Sequence, residues 1–99
     1  MDMRKLFEQA QQVQQQLAQE LAHTEVEAAS GGGLVRVRMN GKKELLALSI
    51  DPEAIGDRDM LPDLILAAVN QASRKVDELL SSRMGSLAGK LGLSGLMGS

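Results

Sequence analysis

Gly31-Gly32-Gly33-Leu34-Val35-Arg36-Val37-Arg38-Met39-Asn40-Gly41 joins a glycine run to an alternating strand and a turn. Apolar and basic residues alternate from Val35 to Met39, the period of a strand with one buried face. Val35, Val37 and Met39 share one face, which leaves Arg36 and Arg38 on the other. Asn40-Gly41 predicts a tight type I′ turn, because both residues tolerate φ > 0 there. The chain then returns through Glu44 to Ile50 and stops at Asp51-Pro52. In that returning strand Leu46, Leu48 and Ile50 align on one face, and Leu45, Ala47 and Ser49 on the other. Both faces are apolar enough to predict cover on two sides. The three glycines predict a flexible hinge or bulge; they lack the lysine and Ser/Thr of a phosphate-binding P-loop and lead into a strand.

Working outward, Thr24 to Ala29 predicts a first strand, with Val26 and Ala28 opposite Glu25 and Glu27. Before it, Met3, Leu6, Ala10, Val13, Leu17 and Leu21 recur at helical spacing on a glutamine-rich background. The prediction is one helix over 2–22, about 30 Å long at 1.5 Å per residue. A short sheet cannot cover that length. Its stripe either packs on the sheet of its own chain, or meets a partner helix or stands free. After the hairpin a second long helix starts between Asp59, as N-cap, and Pro62 in the first turn. Leu61, Ile65, Ala68, Ala72, Val76 and Leu79 form its stripe, widened by Leu64, Val69 and Leu80. So wide an apolar surface predicts contact with the sheet and with a second copy, and those six stripe residues are the expected dimer interface. Beyond Met84, glycines at 85, 89, 92, 95 and 98 predict a flexible tail over 85–99, leaving a single domain over 1–84. The fold class is α+β: long helix, three-stranded antiparallel sheet, long helix.

The same residues resemble a known family. Gly31 to Gly41, then Ile50-Asp51-Pro52, then Ala67-Ala68-Val69-Asn70-Gln71-Ala72-Ser73-Arg74-Lys75 are similar to the YbaB/EbfC family of bacterial nucleoid-associated proteins. Phe7 to Gln14 is similar to that family's opening helix, and 87–96 has its glycine-leucine character. Glu8 departs from the pattern where a lysine is common, with Arg4 and Lys5 placing positive charge slightly earlier. The resemblance implies a homodimer in which a three-stranded sheet joins two helices and the paired helices protrude like tweezers. It also implies duplex DNA binding with modest sequence preference, in the cytoplasm at the nucleoid.

Composition narrows the chemistry. In 99 residues there is one aromatic side chain, Phe7, so the core must be aliphatic and thin for a lone copy. Cysteine is absent, which excludes disulfides, thiolate metal sites and cysteine nucleophiles. His23 is the single histidine and has no partner ligand nearby in sequence. Asp57, Asp59 and Asp63 gather where a helix starts and complement its dipole. No catalytic constellation appears; the expectation is a binding protein without cofactor or metal. No long apolar run or signal-like N-terminus appears either, so the expected chain is soluble and intracellular, without a membrane partner.

The net charge of −2 is unusual for a nucleic-acid binder. Basic residues are nevertheless grouped, and Arg4, Lys5, Arg36, Arg38, Lys42, Arg74 and Lys75 are the expected phosphate contacts. With one aromatic residue there is no stacking platform for single strands, which favours duplex DNA. The acidic balance and glutamine face leave a second possibility open: a dimeric adaptor that grips another protein and touches DNA incidentally.

Overall fold

A computed structural model describes residues 2–90. Its elements are α1 (Met3–His23), β1 (Glu25–Ser30), β2 (Val35–Asn40), β3 (Leu45–Ile50), α2 (Pro52–Ile55) and α3 (Met60–Lys90). The strands form one antiparallel sheet in the order β1-β2-β3. The α+β class and the order of long helix, three strands and long helix agree with the sequence; the short α2 is an addition.

β2 is the central strand, and its alternation behaves as the sequence dictates. Val35, Val37 and Met39 are buried, while Arg36 and Arg38 are exposed on the open face. α3 lies across β1 and β2. Ala68, Ala72 and Val76, one helical turn apart, are fully buried against Ala28, Val35, Val37 and Met39. Two alanines in that seam let the helix approach the sheet closely, and each fully buried valine contributes about 1.5–3 kcal/mol. Ser30 ties the sheet to the same helix by donating from its hydroxyl to the Leu64 carbonyl at 2.6 Å.

The turns differ from expectation in an instructive way. Left-handed φ values at two central residues occur in the glycine run, where Gly31 and Gly32 have φ of 61° and 69° and the Gly33 amide donates to the Ser30 carbonyl at 3.1 Å. That is a tight turn, not a hinge. Asn40-Gly41 does reverse the chain, but through a three-residue loop. The Asn40 amide donates to the Glu44 carbonyl at 3.0 Å, the Lys43 amide donates to the Asn40 carbonyl at 2.9 Å, and Lys43 takes the left-handed φ of 61°. This is the pattern of a type I turn with a bulge, so Gly41 needs no positive φ. The buried Asn40 side chain holds the loop: its Oδ1 accepts from the amides of Lys42 and Glu44, and its Nδ2 donates to Glu44.

Three further expectations are corrected. Asp57, not Asp59, caps α3: its Oδ1 accepts from the Met60 amide at 3.0 Å. α3 does not stop at Met84 but continues through Gly85 and Gly89 to Lys90. Helical hydrogen bonds persist there although each glycine costs about 1 kcal/mol relative to alanine. The rest of the expected tail, 91–99, lies outside the described residues. Lastly, β3 is not covered on two sides. α3 sits over β1 and β2, leaving Leu45, Leu46 and Leu48 on β3 each more than 40% exposed.

α1 meets the sheet only at its last turn, where Leu21 and Ala22 are half-buried beside Gly41, and the rest projects away. None of its residues is buried; Met3, Leu6, Phe7, Val13 and Leu17 all stand exposed. Of the two placements open to its stripe, packing on its own sheet is not the one adopted.

Candidate nucleic-acid interface

The open face of the sheet collects three of the expected cations. Arg36 stands between Ala29 on β1 and Ser49 on β3, and Arg38 between Glu27 and Ala47. Because these neighbours are small apart from Glu27, the two arginines border a shallow depression, and Lys75 of α3 reaches its rim. Lys75 donates from Nζ to the Glu27 carbonyl at 2.6 Å, which wraps α3 around the edge strand. Arg38 Nε lies 3.4 Å from Glu25 Oε2, a partly exposed ion pair. Arg36 has no carboxylate at ion-pair distance among the described residues. Its guanidinium passes over Gly33, where a Cβ would meet Nη2 at 2.9 Å. Gly33 also holds a φ of 100°, so both space and backbone require glycine there.

The other expected contacts are dispersed. Arg4 and Lys5 occupy the free end of α1, about 27 Å along the helix from its junction with the sheet at 1.5 Å per residue. Lys42 is exposed in the β2–β3 loop and Arg74 is exposed on α3; neither lines the depression. The seven residues therefore do not form one surface in a single chain. Two cations outside the expected contacts have structural duties. Lys43 pairs with Asp77 at 2.9 Å, and Arg83 donates to the Thr24 hydroxyl at 3.3 Å. Only the tertiary fold brings those partners together; no local pattern signals them.

The expected dimer interface on α3 is also corrected. Ala68, Ala72 and Val76 are fully buried under the chain's own sheet and present no surface to a second copy. Leu61 and Ile65 are half-buried and pack on the same core, and Leu79 is half-buried. The centre of the stripe is taken up by β1 and β2 of the same chain. Exposed apolar side chains lie along α1, on β3 and, outside the six-residue stripe, at Leu66 and Met84 of α3.

His23 lines a wide cleft between α1 and α3 with Glu20 and Arg83, without a second histidine. Among the described residues no group of three His, Cys, Asp or Glu side chains could hold a metal ion. No described helix is long and apolar enough to cross a membrane.

A nucleoid-associated protein of Acidobacterium capsulatum is 50% identical over 98 residues, covering 92% of this chain and 91% of that protein. Another from Chloroflexus aggregans is 46% identical over 101 residues, covering 97% and 99%. The crystal structure of an uncharacterized protein from Helicobacter pylori superposes with a TM-score of 0.72 at 27% identity, covering 88% of this chain and 97% of that one. Residues 1–91 match the YbaB/EbfC DNA-binding family over nearly the whole chain, and with relatives this close the chain belongs to that family.

Proposed function

We propose that this chain binds duplex DNA as a homodimer, mainly through backbone phosphates and with little sequence specificity, at the bacterial nucleoid. Such binding would organise the nucleoid or influence gene expression, and it involves no catalytic step. The observation that carries this reading is the DNA-binding family match across 1–91, with relatives named nucleoid-associated proteins. Charge placement supports the phosphate part. The cations are on a sheet face, a loop and helix surfaces, and among the described residues no helix carries a basic face shaped for a groove. Self-association is supported by the exposed apolar side chains of α1, of β3 and of Leu66 on α3, since bare apolar surface marks protein contacts. Two-fold symmetry would present each cation twice, which doubles the small phosphate footprint of a chain whose net charge is −2.

Titration with duplex DNA at several salt concentrations tests this. If a dimer makes about 4 to 6 phosphate contacts, log affinity falls against log salt with a slope of roughly −4 to −5. Absence of duplex binding even at ~50 mM salt would replace this reading with the protein-adaptor one.

A further inference from the structure

We propose that Arg36, Arg38 and Lys75 form a seat for one backbone phosphate of duplex DNA, and that Glu25 restrains this seat by holding Arg38 in an internal ion pair. The inference rests on the reading that the chain binds duplex DNA, and it adds where a phosphate sits and what competes with it. Three observations lead to it. Arg36 and Arg38 are two residues apart on β2 and point to the same face, about 6.7 Å apart along the strand, within reach of a single phosphate. Their flanking positions carry Ala29, Ala47 and Ser49, which leave the guanidinium planes accessible from above. Lys75 spends one N–H on the Glu27 carbonyl and keeps two more for an anion at the rim.

Guanidinium groups suit this task because their paired N–H donors match phosphate oxygens. Arg36 is ready for such contact, with no acidic partner among the described residues. Arg38 is not, because its Nε already faces Glu25. A phosphate entering the depression must draw Arg38 from that carboxylate, and both Glu25 and Glu27 repel it. Glu25 thus lowers the affinity of the free protein, and the acidic β1 strand acts as a brake on a basic β2 strand.

The experiment compares the full chain with Glu25→Gln, Arg36→Gln and a control, Glu53→Gln, which makes the same charge change on α2. Each is titrated with a random-sequence duplex at fixed salt, after circular dichroism confirms an unchanged fold. The expected result is tighter binding by Glu25→Gln, about two- to fivefold for an exposed pair, and weaker binding by Arg36→Gln with a shallower salt slope. Glu53→Gln should match the parent. The seat is overturned if the parent binds but Glu25→Gln binds equally or more weakly, if Glu53→Gln tightens binding as much, or if Arg36→Gln binds as well as the parent. Failure of the parent to bind any duplex overturns the DNA reading itself, and the seat with it.

Discussion

The amide of Gly41 donates to the carbonyl of Leu21 at 2.8 Å, so the β2–β3 loop caps the last turn of α1. The same amide lies 2.9 Å from the Thr24 carbonyl, and Thr24 in turn closes on Glu20 through both its amide and its hydroxyl. A helix end leaves carbonyls without intrahelical partners, and here a hairpin supplies one. The contact is close enough that a Cβ on Gly41 would stand 2.8 Å from the Leu21 oxygen.

Gly41→Ala is therefore expected to destabilise the fold by about 1–3 kcal/mol through crowding alone. Gly41→Val should cost more. Urea denaturation reads this directly. An alanine variant as stable as the parent would show that α1 does not approach the loop so closely.

Lys43 leads to the opposite expectation. Its left-handed φ costs a residue with a Cβ about 1–2 kcal/mol, while its ion pair with Asp77 is largely exposed and contributes at most about 1 kcal/mol. Lys43→Gly should leave stability unchanged or raise it slightly. A clear fall in the melting midpoint would mean that the Asp77 pair outweighs the backbone strain.

Val76 separates core from interface. It is fully buried within one chain, so Val76→Asp should unfold the protein, costing more than about 3 kcal/mol for an unpaired buried charge. Circular dichroism would show lost helix and sheet. A folded monomer from this variant would return the residue to a contact between copies.

Exposed residues on α1 should behave differently. Replacing Leu6 and Val13 with Gln leaves the described core untouched, since neither side chain takes part in it. Sedimentation velocity should show a shift toward a single copy with the sheet retained. An unchanged sedimentation coefficient would remove α1 from the assembly.

Much of the architecture was legible because hydrophobic period is a strong signal. Val35, Val37 and Met39 announce one buried face, and the stripe from Leu61 to Val76 announces the helix that covers it. The loop after Asn40 was located correctly but misjudged in kind. Asn-Gly suits a two-residue turn, whereas the left-handed position fell to Lys43, a residue with no such preference. α2 was passed over because Asp51-Pro52 reads as a strand stop, although Asp51 also accepts from the Glu53 amide as a cap. In the candidate site, alternation revealed which face the arginines occupy. Their partners stayed hidden: Lys75 meets Glu27 across 48 residues of chain, and Arg38 meets Glu25 diagonally, not the Glu27 directly opposite. Such pairings depend on register and twist, which a linear sequence does not display.

The isolation of α1 has a consequence for timing. A 21-residue helix with no buried side chain relies on its own backbone hydrogen bonds, and in water such a helix is only marginally stable. Its single anchored end is the turn held by Gly41. In dilute protein, amide hydrogens near Met3 should therefore exchange with solvent within moments, while those near Leu21 persist far longer. Raising the protein concentration should slow the fast end first, so the rate at which this helix takes up deuterium becomes a clock for how often two chains meet.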